Sequence, residues 1–308
     1  MKLIFMGTPT FAVASAEALR QSAHEIIAVV TAPDKPAGRG LQPRQSAVKQ
    51  WATTHNINVL QPSNLKSPEF LKEMNALAPD LFVVVAFRIL PRELFAIPKH
   101  GAFNLHASLL PKYRGAAPIN WAIINGERET GVTTFYLQDK VDTGAIILQE
   151  KLAIGENETA GELHDRLAPL GAEMVVRTVD RIAEGKSETK VQNDQLATPA
   201  PKLTTENCRI VWTRGAEDIH NHVRGLSPSP GAWTMLNDKT FKILRTQLTD
   251  LIPEPACPGE CVIDGGKLMV KTEDVMIELL EVQPAGKAKM SGAQFVQGRG
   301  VKNGDVFT

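Results

Sequence analysis

An asparagine, a histidine and an aspartate are the residues of this chain whose types and spacing could do chemistry together. Asn104 and His106 are separated by one residue in an apolar run, and Asp142 follows 36 positions later in Val-Asp-Thr-Gly. If the run is a strand, the first two side chains point to the same face. The amide can donate to a developing oxyanion, the imidazole can move a proton, and the carboxylate can orient the imidazole. The three residues form a candidate catalytic set.

The same spacing also has a purely structural interpretation. An Asn-x-His pair on a strand is most often a hydrogen-bonded pair at a sheet edge, and Asp-x-Gly is most often a turn. Short motifs of this kind leave both interpretations open. The sequence around the motif therefore has to decide between them.

The elements that would position these residues alternate between helix and strand. Strands are predicted at 2–6, 25–32, 57–60, 80–87 and 103–106, and helices at 11–21, 45–55 and 69–77. This alternation indicates a doubly wound, mostly parallel α/β sheet. A helix at 117–125, an antiparallel pair at 131–138 and 145–154, and a long amphipathic helix at 159–184 complete the domain. Ligands of such sheets bind beyond the carboxyl ends of the strands, which is where Asn104 and His106 are expected.

Residues 33–44 form the most basic short stretch of the first half of the chain. Two glycines and three prolines predict a long irregular loop there. Lys35, Arg39 and Arg44 supply positive charge, with further charge from Lys49. The stretch is either a solvated loop or an arm that meets an anionic substrate, and composition leaves these two open.

Composition places the chain among ordinary globular proteins of about two domains. Its 308 residues carry 34 Lys and Arg against 34 Asp and Glu, so a nucleic-acid partner would have to use a local patch. The three cysteines do not form a disulfide framework or a zinc motif. No signal peptide and no apolar run of membrane-spanning length is visible, which predicts a cytoplasmic protein without membrane contact.

The C-terminal third has a different pattern. Residues 185–203 are polar and carry no periodic apolar run, which is typical of a linker. Short strands are predicted at 232–236, 242–248, 259–264, 268–272 and 275–282. Their spacing indicates a small β-barrel of the OB-like kind. We therefore expect a catalytic domain at 1–189, a linker at 190–203 and a β-barrel domain at 204–308.

Four stretches of the chain resemble the folate-dependent formyltransferases, and together they extend over nearly its full length. They are Met6-Gly-Thr-Pro-x-Phe-Ala, Asp34-Lys-Pro-Ala-Gly-Arg-Gly, the block 104–118 with Asp142-Thr-Gly, and Arg224-Gly-Leu-x-Pro. The block at 104–118 is common to the wider family. The other three are similar to the branch that acts on initiator tRNA. One position departs from the family pattern, since Arg88 stands where a glycine often precedes Ile-Leu-Pro.

The resemblance implies formyl transfer from 10-formyltetrahydrofolate to the α-amine of methionyl initiator tRNA, by a monomer and without a metal. It implies that Asn104 holds the oxyanion, that His106 transfers the proton and that Asp142 orients His106. The implied folate contacts are the turn Ser108, Leu109, Leu110 and Pro111, with Phe87 and Ile89 in the pterin wall. The implied tRNA contacts are Lys35, Arg39, Arg44 and the C-terminal barrel.

Two other functions stay open on the sequence. The first is formylation of a sugar-nucleotide amine, against which the basic loop and the C-terminal barrel argue. The second is a noncatalytic RNA-binding translation factor, which would leave the Asn-His-Asp set unexplained. Formylation assays with each acceptor, and tRNA binding without folate-dependent turnover, separate the three.

Overall fold

The computed structural model describes residues 1–37, 42–186, 188–252 and 257–308. Its residues separate into two compact units, each assembled from several stretches of the chain. Unit 1 comprises Met1–Pro118, Thr130–Leu152 and His164–Ala200, and unit 2 comprises Ile119–Glu129, Ala153–Leu163 and Pro201–Thr308. The predicted boundaries at 189 and 203, which divide the chain linearly, stay a prediction.

Most predicted strands are present within one to three residues of their expected ends. The strands of the first two hundred residues are β1 Lys2–Gly7, β2 Glu25–Val30, β3 Lys35–Ala37, β4 Gln42–Arg44, β5 Val59–Leu60, β6 Leu81–Val85, β7 Ala102–His106, β8 Arg114–Gly115, β9 Glu129–Tyr136, β10 Ile146–Ala153 and β11 Pro199–Ala200. The later strands are β12 Ala232–Leu236, β13 Lys239–Leu248, β14 Cys261–Asp264, β15 Lys267–Lys271, β16 Met276–Pro284 and β17 Met290–Ser291.

The helices follow the apolar periodicity of the sequence. They are α1 Thr10–Arg20, α2 Ala47–Thr54, α3 Pro68–Ala76, α4 Arg92–Phe95, α5 Pro118–Ile124, α6 Ala160–Ala183, α7 Ala216–Leu226 and α8 Gly292–Gln297. Serines cap three of them. The Ser46 hydroxyl accepts the backbone N–H of Lys49, that of Ser67 accepts the backbone N–H of Phe70, and that of Ser291 accepts the backbone N–H of Gln294. Each such cap stabilises its helix by about 1 kcal/mol. In the described ranges no helix is long and apolar enough to cross a membrane.

The strands of unit 1 form a seven-stranded sheet in the order β10-β9-β7-β6-β1-β2-β5. The pairs β1–β2, β1–β6, β2–β5 and β6–β7 are parallel, and β9 pairs with β7 antiparallel. Strand β6 is buried along its whole length, as a central strand covered on both faces must be. These findings confirm the predicted doubly wound, mostly parallel fold.

The strand order reverses at β1, because β2 follows on one side and β6 on the other. The carboxyl ends of β1, β6 and β7 therefore meet at one edge of the sheet. Open α/β sheets bind their ligands at such a switch point. Strand β7 ends in His106, so the candidate catalytic residues lie at the edge where a substrate is expected.

The prediction of an irregular loop at 33–44 is wrong for residues 35–37 and 42–44. Strands β3 and β4 form a short antiparallel hairpin in which Pro36 lies opposite Pro43. A proline pair cannot exchange N–H···O bonds, so it must occupy a non-hydrogen-bonded position, and the bonded pairs fall on either side of it. Two prolines in register are therefore compatible with a hairpin, although each one alone argues against a strand.

The stretch predicted as a linker carries structure of its own. Residues 194–196 form a turn of 3₁₀ helix, and β11 pairs with β8 in parallel. Lys190 also exchanges two backbone hydrogen bonds of 2.8 Å with Ile146. Hydrogen bonds rather than apolar side chains hold this stretch to the rest of unit 1. Its sequence therefore needs no periodic pattern of apolar residues.

Unit 2 contains an antiparallel sheet in the order β12-β13-β16-β15-β14, with β17 paired to β16. Helix α7 and the sheet share an apolar core that includes Val223, Ile243, Ile277 and Phe307. All four side chains are at most 1% exposed. The predicted β domain at the C-terminal end is confirmed as an antiparallel sheet domain, and its closure into an OB-like barrel stays a prediction.

Candidate active site

Strand β7 carries Asn104 and His106 near its carboxyl end. It lies between β6 and β9, where Asn104 is opposite Phe135 and His106 is opposite Thr133. Because the two residues are two positions apart on a strand, their side chains share one face of the sheet. His106 is buried and Asn104 is partly buried, so the pair lies at the margin of the core.

The imidazole of His106 is held by a backbone carbonyl. Its Nε2 lies 2.7 Å from the carbonyl oxygen of Tyr113. A carbonyl can only accept, so Nε2 donates and carries the hydrogen, and Nδ1 of the neutral ring is the basic nitrogen. The ring also meets Phe135 edge-on, with centroids 6.5 Å apart and planes at 85°. These contacts fix both the tautomer and the orientation of the ring.

The carboxylate of Asp142 faces the same imidazole without a hydrogen bond to it. Its Oδ2 lies 3.9 Å from His106 Nδ1, which is beyond hydrogen-bond length. The same oxygen accepts the backbone N–H of Gly115 at 2.9 Å. The hydrogen bond that sets the tautomer is therefore the one to the Tyr113 carbonyl, and the orienting role of Asp142 stays a prediction. Asp142 supplies a negative charge close to the ring.

Two glycines permit the close packing around Asp142. Gly115 has a φ of 128°, and a Cβ on it would lie 2.5 Å from the carbonyl oxygen of Ala200. A Cβ on Gly144 would overlap with the carbonyl oxygen of Tyr136. Only glycine fits at either position. The backbone can therefore bring the Asp142 turn within 4 Å of the imidazole.

The side-chain amide of Asn104 is available as a donor. It is partly exposed and makes no hydrogen bond to any other residue that the structure describes. An amide that no described residue engages can donate to a ligand, as an oxyanion donor must. Nowhere in the described ranges do three or more His, Cys, Asp and Glu side chains gather in a way that could hold a metal ion.

The predicted folate turn is tightly bonded internally. The Ser108 hydroxyl is fully buried and donates to the carbonyl of Lys112 at 2.7 Å. The Thr133 hydroxyl donates to the carbonyl of Ser108 at 2.6 Å and accepts the N–H of Leu110 at 3.2 Å. Leu110 is buried, so the partly exposed side chains of the turn are those of Leu109 and Pro111. A folate contact by the Ser108 hydroxyl would require this bonding to change.

A cleft of about 600 Å³ lies beside the other predicted folate residues. Its walls are the segment 63–66 on one side and the segment 88–95 on the other, with Asp139 at the margin. Ile89 is 75% exposed and lines the cleft, whereas Phe87 packs against the apolar core of the sheet. Of the two predicted folate-binding residues Phe87 and Ile89, Ile89 therefore lines this cleft and Phe87 does not.

Arg88, which departs from the family pattern, forms part of the cleft wall. Its two terminal nitrogens donate to the carbonyls of Pro62 at 2.8 Å and Ser63 at 3.2 Å. Its guanidinium lies 5.2 Å from the centre of the Phe87 ring. Burial lowers the pKa of the Arg88 guanidinium. The side chain therefore joins the two segments that line the cleft.

The basic loop is partly neutralised where it leaves the sheet. Lys49 Nζ pairs with Asp34 at 2.6 Å, and this contact, with a hydrogen bond from Gln61, holds the pKa of Asp34 below its usual range. Arg44 is exposed at the end of β4. Arg39 lies outside the described residues. The proposed tRNA contacts of Lys35, Arg39 and Arg44 stay a prediction.

Two groups near His106 have no signature in the sequence. One is the Tyr113 carbonyl, which belongs to the backbone and is independent of the side chain at that position. The other is Gln192, whose amide is buried in the predicted linker and bonds to the Asp142 turn. The one indirect signal is Gly115, because a glycine in this position indicates a close backbone approach.

The chain matches two protein-family models in series. The description "Formyl transferase" applies to residues 1–179, and "Formyl transferase, C-terminal domain" applies to residues 202–300. The methionyl-tRNA formyltransferase of Flavobacterium johnsoniae is 46% identical over 304 residues, which is 97% of this chain and 96% of that protein. The protein of the same name from Chlorobium chlorochromatii is 48% identical over 305 residues, again 97% and 96% of the two chains.

Solved structures show the same architecture. The N-formyltransferase of Helicobacter canadensis, in complex with folinic acid and dTDP-3-aminofucose, is 25% identical with a TM-score of 0.70, over 92% of this chain and 99% of that one. HypX from Aquifex aeolicus, in complex with tetrahydrofolic acid, matches at 16% identity with a TM-score of 0.67, over 100% and 50%. The second likeness shows the fold alone. The sequence matches along both parts of the chain carry the assignment, and this protein belongs to the formyl transferase family.

Proposed function

We propose that this enzyme transfers the formyl group of 10-formyltetrahydrofolate to the α-amine of methionyl initiator tRNA, acting in the cytoplasm as a monomer. The relatives named methionyl-tRNA formyltransferase, at 46% and 48% identity over almost the whole chain, support this acceptor. One structural observation carries the chemistry. The Asn104 amide, which bonds to no residue that the structure describes, lies on the same strand face as the fixed imidazole of His106, whose Nδ1 is 3.9 Å from the Asp142 carboxylate.

His106 is proposed to handle the proton of the attacking amine. The amine must be neutral to attack and becomes positively charged as it forms the new C–N bond. Because Nε2 already carries the hydrogen donated to Tyr113, Nδ1 is the nitrogen that can accept the proton. The imidazolium formed in this way is stabilised by the nearby charge of Asp142.

Asn104 is proposed to stabilise the oxyanion. Attack of the amine converts the formyl carbonyl into a tetrahedral centre with a negative oxygen, and the free N–H of Asn104 can donate to it. The bond from the formyl carbon to N10 of the folate then breaks. N10 receives the proton held by His106, which leaves tetrahydrofolate, formyl-methionyl tRNA and a neutral imidazole.

The cleft beside Ile89 supports the folate side of this proposal. Lys66 and Arg88 bring positive charge to it, while Arg92 pairs with Asp139 at 3.3 Å. The glutamate tail of the co-substrate carries carboxylates, which a cleft of net positive charge favours. We propose that the co-substrate lies between this cleft and the turn at Leu109 and Pro111, with Phe87 behind the cleft wall.

The acceptor tRNA is proposed to contact the hairpin loop and the C-terminal β domain. The balanced charge of the whole chain means that binding depends on local groups, and Lys35, Arg39 and Arg44 belong to the most basic short stretch of the first half of the chain. Phosphate contacts of this kind position the acceptor without reading its sequence.

The test is a formylation assay with alternative acceptors. The protein is mixed with 10-formyltetrahydrofolate labelled in the formyl group and with either charged initiator tRNA or an aminosugar nucleotide, the class of ligand bound by the Helicobacter canadensis enzyme. Labelled formyl-methionine is the expected product. Exclusive labelling of the sugar would overturn the proposed acceptor. The His106→Ala variant is the control and should reduce turnover about 10²- to 10⁴-fold.

A further inference from the structure

A buried glutamine lies behind the Asp142 turn. Gln192 is 8% exposed, and its Nε2 donates to the carbonyl of Asp142 at 3.0 Å and to that of Gly144 at 2.8 Å. The two bonds span the turn that carries the carboxylate. They hold the backbone on both sides of Thr143 in one arrangement.

The other end of the same amide reaches a second segment. Gln192 Oε1 accepts from Arg114 Nε at 3.1 Å and from Arg114 Nη2 at 2.7 Å. All the donors and acceptors of the amide are therefore used. Arg114 immediately follows Tyr113, whose carbonyl holds His106. Gln192 thus lies between the segment that orients the imidazole and the turn that carries the carboxylate.

Thr198, in the same stretch, bonds to the peptide group that contacts His106. Its hydroxyl accepts the N–H of Tyr113 at 2.9 Å, and its carbonyl accepts the N–H of Arg114 at 2.9 Å. The Arg114 N–H and the Tyr113 carbonyl belong to one peptide group. That group is consequently held by Thr198 on one side while it binds His106 on the other.

We infer that Gln192 is a positioning residue of the formyl-transfer site, an inference that rests on the proposed function. His106 and Asp142 share no hydrogen bond, so no direct contact sets the 3.9 Å between them. The surrounding framework must set it instead, and Gln192 joins the two parts of that framework. Because the attraction between the carboxylate and an imidazolium depends on their separation, loss of this link should slow the proton-transfer step.

The chemistry of the position favours glutamine over its nearest substitutes. Glutamate has no N–H to donate to the carbonyls of Asp142 and Gly144, and it would add a second negative charge beside Asp142. Asparagine is shorter by one methylene. Methionine has a similar length and volume but neither donates nor accepts strongly, so Gln192→Met removes the bonds while filling the space.

The experiment compares Gln192→Met with Gln195→Met in the full-length protein. Gln195 is exposed in the same stretch, and its side chain makes no hydrogen bond within the described ranges, so it is a matched control. Single-turnover formylation of charged initiator tRNA should be about 10- to 100-fold slower in Gln192→Met, with little change in the KM for either substrate. The Gln195→Met variant should behave as the wild type does.

A second experiment, by NMR, tests the site in the absence of turnover. Nitrogen NMR of the ¹⁵N-labelled histidine rings, with His106 assigned by its loss in His106→Gln, should show the Nε2–H tautomer in the wild type. In Gln192→Met the tautomer ratio of His106 should shift. Unchanged signals with wild-type turnover would overturn the inference.

The inference would also be overturned if turnover falls only in proportion to the folded fraction measured by a thermal melt while the His106 signals stay unchanged. If the wild-type protein formylates no charged tRNA, the proposed function fails on its own. The NMR comparison then decides whether Gln192 positions the His106–Asp142 pair.

Discussion

Replacement of Asp142 by asparagine separates its charge from its structural role. Asp142 has a φ of 55°, a left-handed conformation that asparagine adopts readily. The amide oxygen of asparagine can still accept the Gly115 N–H, which now binds Oδ2 at 2.9 Å. The fold should therefore be retained. What is lost is the negative charge 3.9 Å from His106 Nδ1.

The size of the effect follows from Coulomb's law. At 3.9 Å and an effective dielectric constant of about 20 to 40, a carboxylate attracts an imidazolium by roughly 2 to 4 kcal/mol. If the full charge has developed in the transition state, the barrier rises by that amount. Since about 1.4 kcal/mol is a factor of ten, kcat should fall about 30- to 1,000-fold.

The assay is single-turnover formylation beside a thermal melt. Asp194→Asn is the control, because Asp194 is also a carboxylate bonded to this framework, through Arg114 at 2.7 Å, yet its side chain is 77% exposed. That variant should retain near wild-type turnover. Equal losses in the two variants, or wild-type turnover in Asp142→Asn with an unchanged melting temperature, would show that the charge of Asp142 does not assist proton transfer.

Three further outcomes are expected. Asn104→Ala should lower kcat about 10²- to 10³-fold without changing the melting temperature, because its amide has no partner among the described residues; a near-normal rate would remove it from the mechanism. Arg88→Ala should raise the KM for folate about 10-fold in steady-state assays, since the bonds to Pro62 and Ser63 shape the cleft; an unchanged KM would contradict this. Burial lowers the pKa of His220, so only the unfolded chain gains a proton as the pH falls below about 6.5, and the melting temperature should drop below that pH. The His220→Gln variant should show a smaller drop in melting temperature. An equal drop in the variant would exclude His220 as its source.

An element of this fold is predictable when its own residues, without their neighbours in space, specify its structure. Strand β6 is a continuous apolar run, and its residues predict a buried central strand without any knowledge of their neighbours. Helix α8 was missed although Ser291 and Gln294 form a capping box, a signature visible in the sequence. The stretches 119–129 and 153–163, which join unit 2, could not be predicted, because no local pattern states which distant segment a surface packs against.

The candidate site divides in the same way. Asn104, His106 and Asp142 are predicted as a candidate set because an amide, an imidazole and a carboxylate are side-chain types that can stabilise an oxyanion and move a proton. The orientation of His106 was assigned to Asp142, since a carboxylate is the side chain that could do it. The actual partner is the Tyr113 carbonyl, and any residue at that position supplies a carbonyl. Side-chain type therefore cannot predict that a backbone carbonyl, such as that of Tyr113, bonds to a candidate site residue.

The stretch 190–200 shows why low hydrophobicity is an incomplete sign of a linker. Burial of apolar area is one way in which a segment is held against the rest of a domain. A periodic pattern of apolar residues reveals only segments that are held in this way. Hydrogen bonds to the rest of unit 1 hold Gln192, Thr198 and Ala200 in place. Most of the partners in these bonds are backbone groups, which leave no pattern in the sequence. Each such bond contributes only about 1 kcal/mol net, but leaving its buried partners unpaired costs more. A polar segment can thus be held by many hydrogen bonds, and this one bonds to the backbone of the Asp142 turn and to the peptide group whose carbonyl holds His106.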